Sequence, residues 1–115
     1  MTAATMDLHR AREAGEAGMQ RALSAAESRD PVFAEKAREA ILRHLKAVGK
    51  AGGEELTDTA HAMGVQTKNP KAFGAVLKGL AREKLIERIG FVPRMRGHGA
   101  PGPLWEITAK GRAHQ

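Results

Sequence analysis

The feature that most constrains this chain is a change of hydrophobic period at Lys84. Before it, "KAFGAVLKGLAREK" (residues 71–84) sets Phe73, Val76, Leu77, Leu80 and Ala81 on one helical face. Lys71, Lys78, Arg82 and Lys84 lie largely off that face. After it, "LIERIGFV" brings β-branched and aromatic residues at strand spacing, and "PLWEIT" (103–108) is a second strand-like run. The segment between them, "PRMRGHGAPG", is too long for a tight turn and rich in Gly and Pro. A helix therefore hands over to a β-hairpin with a long basic loop.

Upstream, the punctuation predicts three more helices. Residues 6–28 read as one helix with a weak apolar stripe of Met6, Ala14, Ala17 and Leu23. Gly15 and Gly18 each cost it about 1 kcal/mol relative to Ala, so it needs a docking surface or a partner to persist. "SRDP" then breaks the chain, with Asp30 suited to cap a helix and Pro31 to its first turn. "VFAEKAREAILRHLKAV" follows, with Phe33, Ala37, Ile41 (or Ala40), Leu45 and Val48 at helical spacing. Gly49, Gly52 and Gly53 end that helix in a turn. A short helix through Ala60, Ala62 and Met63 is expected next, capped by Thr57 and stopped by Gly64. Asn69 and Pro70 open the helix described first.

Composition narrows the class. The 115 residues suit one domain plus an arm. With aromatics at 3% and no Tyr, the core must be aliphatic, and Trp105 reads as one of its few large anchors. Cysteine is absent, which removes disulfides and thiolate-ligated metals and fits a reducing compartment. The five His show no ligand-pair spacing, so neither a metal nor a cofactor is expected. No nucleophile–base arrangement, P-loop or dinucleotide fingerprint occurs, so the expectation is a protein without enzymatic activity. No apolar run approaches the roughly 20 residues of a membrane helix, so no membrane association is expected. Asp7, Glu13 and Glu16 argue against a transit peptide. The expected location is cytoplasmic. Nineteen Lys and Arg against 13 Asp and Glu give a formal charge of +6, which favours a polyanionic partner, nucleic acid first.

Helix, short helix, connector, helix, hairpin is the order of a winged helix-turn-helix. The expected fold is mainly α with a small β-hairpin, an α+β winged helix-turn-helix preceded by an N-terminal helical arm. Residues 1–29 form the arm, 30–109 the winged-helix domain and 110–115 a basic tail. In this layout the third helix keeps one side exposed for a major groove. "PKAFGAVLKGLAREKLIERIGF" resembles the third helix and first strand of winged-helix domains. With the leading "AREAGEAGM" segment and the basic loop ending at Trp105, about residues 7–107 resemble small winged-helix proteins of bacteriophage replication and early regions. That resemblance implies a mobile-element origin; with the element order and the basic wing, the expectation is a DNA-binding protein acting in replication or transcriptional control.

The candidate contacts fall into two sets. Lys68, Lys71, Lys78 and Arg82 belong to the third helix and its entry, while Arg94, Arg96 and His98 lie on the wing. Helix three is poor in groups that read base edges, so contacts to the backbone of duplex DNA are expected to dominate. The ordinary alternative is a solvated helix face and a free loop tip. The N-terminal helix either packs on the domain or pairs with a second copy or another protein. A second functional reading is a docking subunit of a larger nucleoprotein complex, such as a replication or defence assembly.

Overall fold

The second and fourth helices begin, and the second and third end, at the local signals of the sequence. The computed structural model describes residues 3–95 and 101–114, with side chains from residue 16 onward. Helix α1 (Ala3–Arg29) is followed by α2 (Phe33–Val48), strand β1 (Lys50–Gly52), α3 (Gly53–Ala62) and α4 (Lys71–Arg82). Then come β2 (Ile86–Val92), β3 (Gly102–Ile107) and a short α5 (Ala109–Ala113). The chain is mainly helical with a small three-stranded antiparallel sheet.

Asp30 opens the turn into α2. Its carboxylate accepts the Val32 N–H at 3.2 Å and its carbonyl the Phe33 N–H at 2.9 Å. Asn69 does the same for α4, accepting the Lys71 N–H at 3.0 Å. Gly49 and Gly64 terminate α2 and α3 with φ of 86° and 91°, which side chains resist. Thr57 is no cap, because α3 starts at Gly53 and the Thr57 hydroxyl donates back to the Gly53 carbonyl at 3.0 Å. Lys84 leaves α4 with φ of 64°, a left-handed position that costs a non-glycine residue about 1–2 kcal/mol.

The expected hairpin forms, and a third strand joins it. The segment expected as a turn, Lys50–Gly52, pairs with β3, giving the order β1-β3-β2. Three residues are too few to show a strand period, so only the partner strand reveals it. Trp105 lies on the central strand, opposite Ala51 and Arg88, and is 7% exposed. Between Arg88 and Gly90 the register slips by one residue. Ile89 is the extra residue, and it points outward.

Phe33, Ile41, Leu45, Leu56, Phe73, Leu80, Leu85 and Ile86 form the buried centre. Burying each of these side chains contributes about 1.5–3 kcal/mol. Phe33 and Phe73 meet edge to face, centroids 5.3 Å apart, joining α2 to α4. Val48, expected on the same stripe as Phe33, is exposed because it lies past the end of the core. Arg38 of α2 pairs with Glu83 just past α4, and that guanidinium holds the Glu83 carboxyl below the usual glutamate range.

The segment expected as a basic tail contributes α5. Thr108 caps it, accepting the Gly111 N–H at 3.0 Å, while its N–H donates to the Leu85 carbonyl at 3.0 Å. Gly111 sits directly on the turn that follows α4. A Cβ at Gly111 would stand 2.1 Å from the Leu85 carbonyl oxygen, which is backbone and cannot rotate away. Gly111→Ala is therefore expected to destabilise the protein by about 1–3 kcal/mol in urea unfolding. A change below a few tenths would show that α5 does not pack there.

Candidate nucleic-acid interface

Helix α4 sits between two layers. Phe73, Val76 and Leu80 face the core and are buried. Lys71, Ala75, Lys78 and Arg82 recur at i, i+4, i+7 and i+11, so they form one stripe on roughly the opposite side. Helix α1 lies along this stripe. Ala75, in its middle, is only 3% exposed although it points away from Phe73 and Leu80. The expectation that the third helix keeps one side open is thus corrected: α1 occupies that side.

Small residues allow the close approach. Gly18, Ala22 and Ala26 recur every four residues on α1, and Ala22 and Ala26 join the main core. On α4, Gly74 receives Met19. A Cβ at Gly74 would stand 3.2 Å from the Met19 methyl and 3.3 Å from its sulfur. Farther along, Lys78 Nζ pairs with Glu16 at 3.3 Å. Met19 meets Gly74 and Glu16 meets Lys78, so the two helices run in opposite directions here. The arm expected as residues 1–29 therefore shares its core with the rest of the chain.

The predicted contact residues divide accordingly. Lys68 and Lys71 are exposed at the entry to α4, Arg82 is exposed at its last turn, and Lys78 is half-buried against α1. Among the described residues, Lys68, Lys71, Arg82 and Arg94 have no ion-pair partner, whereas Lys78 has Glu16. Arg94 leaves the end of β2 and folds over the neighbouring strand, with Nε 3.1 Å from where a Cβ on Gly102 would be. Arg96 and His98 lie outside the described residues.

A groove joins the two sets at one end. Its walls include Met19 of α1, Thr57 of α3, Lys71 and Leu77 of α4, and Arg94 and Pro103 of the hairpin. Lys71 and Arg94 are thus brought to one depression, while Arg82 stands at the far end of α4. Glu54 and Asp58 line the α3 side, so the groove is mixed in charge and its basic part is the rim at Lys71 and Arg94. His61 lies in the same wall and packs on Phe73, ring centroids 5.2 Å apart. Trp105 is the core anchor its sequence context suggested, not an exposed stacking platform.

Sequence reasoning missed Glu16 and Met19. The available signal was the spacing of Gly18, Ala22 and Ala26, which marks a close helix–helix seam rather than a weak amphipathic face. Among the described residues no cluster of His, Cys, Asp or Glu could hold a metal, and no helix is long and apolar enough to cross a membrane. No family model, curated protein or solved structure matches the chain.

The Glu16–Lys78 pair is half-exposed and salt-screened. A double-mutant cycle with Glu16→Gln and Lys78→Met is expected to give a coupling energy of about 0.2–1 kcal/mol. A repulsive coupling in low salt would contradict the contact between Glu16 of α1 and Lys78 of α4.

Proposed function

We propose that this protein is a winged helix-turn-helix module that binds duplex DNA through its phosphate backbone. The observation that carries the reading is the shared rim of Lys71, at the start of α4, and Arg94, at the root of the hairpin loop. Both cations lack an ion-pair partner among the described residues. Lys68 on the connector extends the same basic edge. The order α2, β1, α3, α4 and hairpin supports the winged-helix assignment. The resemblance of the leading segment and loop to phage early-region proteins supports a role in replication or transcriptional control.

The chemistry on this rim reads charge rather than sequence. Lysine and arginine at a helix entry and a loop root grip phosphates, and α4 carries no Asn or Gln, while its one arginine, Arg82, stands at the end away from Lys71 and Arg94. Sequence preference on this account is small, and affinity depends steeply on salt.

A second reading, protein docking, is favoured by one observation. Strand β2 is an edge strand, and Ile89 and Phe91 are exposed on it, with Arg88 over the Phe91 ring at 5.4 Å. An edge strand with exposed apolar side chains is a template for pairing with another chain.

The experiment is a titration of a short labelled duplex across a range of salt concentrations. Lys71→Ala with Arg94→Ala is expected to weaken binding and to make the log–log salt dependence shallower by about 1.8, or 0.9 per phosphate contact. Absence of binding by the wild type at low salt would reject DNA binding and favour docking through β2.

A further inference from the structure

The outward stripe of α4 is claimed twice. It holds Lys71, Lys78 and Arg82 in one line, the only line of α4 not turned to the core that carries more than one cation. It is also the line on which α1 lies, with Ala75 buried beneath it and Lys78 engaged by Glu16. A duplex approaching α4 along this stripe meets α1 first. With α1 in place, only the two ends of the stripe are open: Lys71 beside Arg94, and Arg82.

From residue 16 onward the hold of α1 is modest. Its buried side chains in that stretch are two alanines, supplemented by partly buried Met19 and Leu23. Gly15 and Gly18 weaken the helix itself by about 1 kcal/mol each. Among the described residues its ion pair with α4 is half-exposed, of a kind worth about 0.2–1 kcal/mol. Between α1 and α2 lie only Asp30, Pro31 and Val32, a short break in the helix. The core from Phe33 onward closes around α2, α3, α4 and the sheet, with Phe33, Leu45, Leu56, Leu80 and Leu85 fully buried. Glu16 sits on Lys78 as a phosphate oxygen would, and a polyanion offers the same lysine a stronger field.

We propose that α1 is a displaceable cover, and that duplex DNA and α1 compete for the Lys71–Lys78–Arg82 stripe of α4. This rests on the DNA-binding reading above. The closed form engages DNA only through the exposed ends of the stripe and the hairpin. The open form adds Lys78 and the stretch of α4 around Ala75, and lets the helix approach the groove. Binding to DNA therefore releases α1, whose freed seam of Gly18, Ala22 and Ala26 becomes exposed only in the bound state.

The test is a reversible lock. The chain has no cysteine, so Met19→Cys with Gly74→Cys introduces the only thiol pair. The Met19 Cγ lies 3.7 Å from the Cβ position at residue 74, which brings a cysteine sulfur there within disulfide reach. Duplex affinity is measured for the oxidised and the reduced forms of the same full-length protein. Ala22→Glu serves as the opposite variant: it puts a charge into the seam and opens it, while its added negative charge alone would weaken DNA binding. The lock is expected to weaken binding about tenfold or more and to make the salt slope shallower by about 0.9, for the loss of Lys78. Ala22→Glu is expected to bind more tightly than the wild type. Equal affinity and slope in the locked and reduced forms overturns the cover while leaving DNA binding standing. Failure of the wild type and every variant to bind duplex removes the DNA reading and the cover with it.

Discussion

The burial of α4 on two opposite sides governs this structure. On one side Phe73 meets Phe33 edge to face, and Val76 and Leu80 fill the space between α2, α3 and the sheet. On the other side Gly74 and Ala75 accept α1, because neither has a side chain large enough to hold it away. A helix held in this way is rigid and fixes what is attached to its ends. Its start positions Lys71, and its end passes through Lys84 into β2, which sets the hairpin and thus Arg94. The groove between these cations is a consequence of where α4 sits.

Most of this was legible where one residue has one local job. Asp30 and Asn69 open their helices because a carboxylate or amide accepts the N–H two residues on, where the chain turns into the helix. Gly49 and Gly64 stop helices because they alone tolerate the left-handed backbone there. The period change after Lys84 separated α4 from the hairpin because strand and helix distribute apolar residues differently. What stayed hidden depends on partners distant in sequence. Strand β1 is three residues that become a strand only beside β3. Helix α5 is set by Thr108 and by the contact of Gly111 with Leu85, neither of which has a periodic signature. The seat of α1 was hidden for a related reason. Its seam is made of Gly and Ala, which hydrophobic periodicity scores as weak, although small residues are what let two helices meet closely.

The same geometry reshapes the functional reading. A basic helix and a basic loop suggest a continuous cationic face. The folded chain instead divides its cations into an exposed rim of Lys68, Lys71 and Arg94, a covered Lys78 and an isolated Arg82. The exposed positive edge is small, because Lys78 is engaged by Glu16 beneath α1. The net charge of +6 is thus a poor guide to how much positive charge any one face presents. The acids Glu54 and Asp58 narrow that edge further from the α3 side.

The central claim is that α1 lies on the outward stripe of α4 in the free protein. The most direct measurement is a nuclear Overhauser experiment on protein labelled at its methionine methyl groups. The account predicts a cross-peak between the Met19 ε-methyl and the Gly74 α-protons, with slow amide exchange at Ala75. A Met19 methyl at its random-coil shift, without a cross-peak to α4, would contradict it.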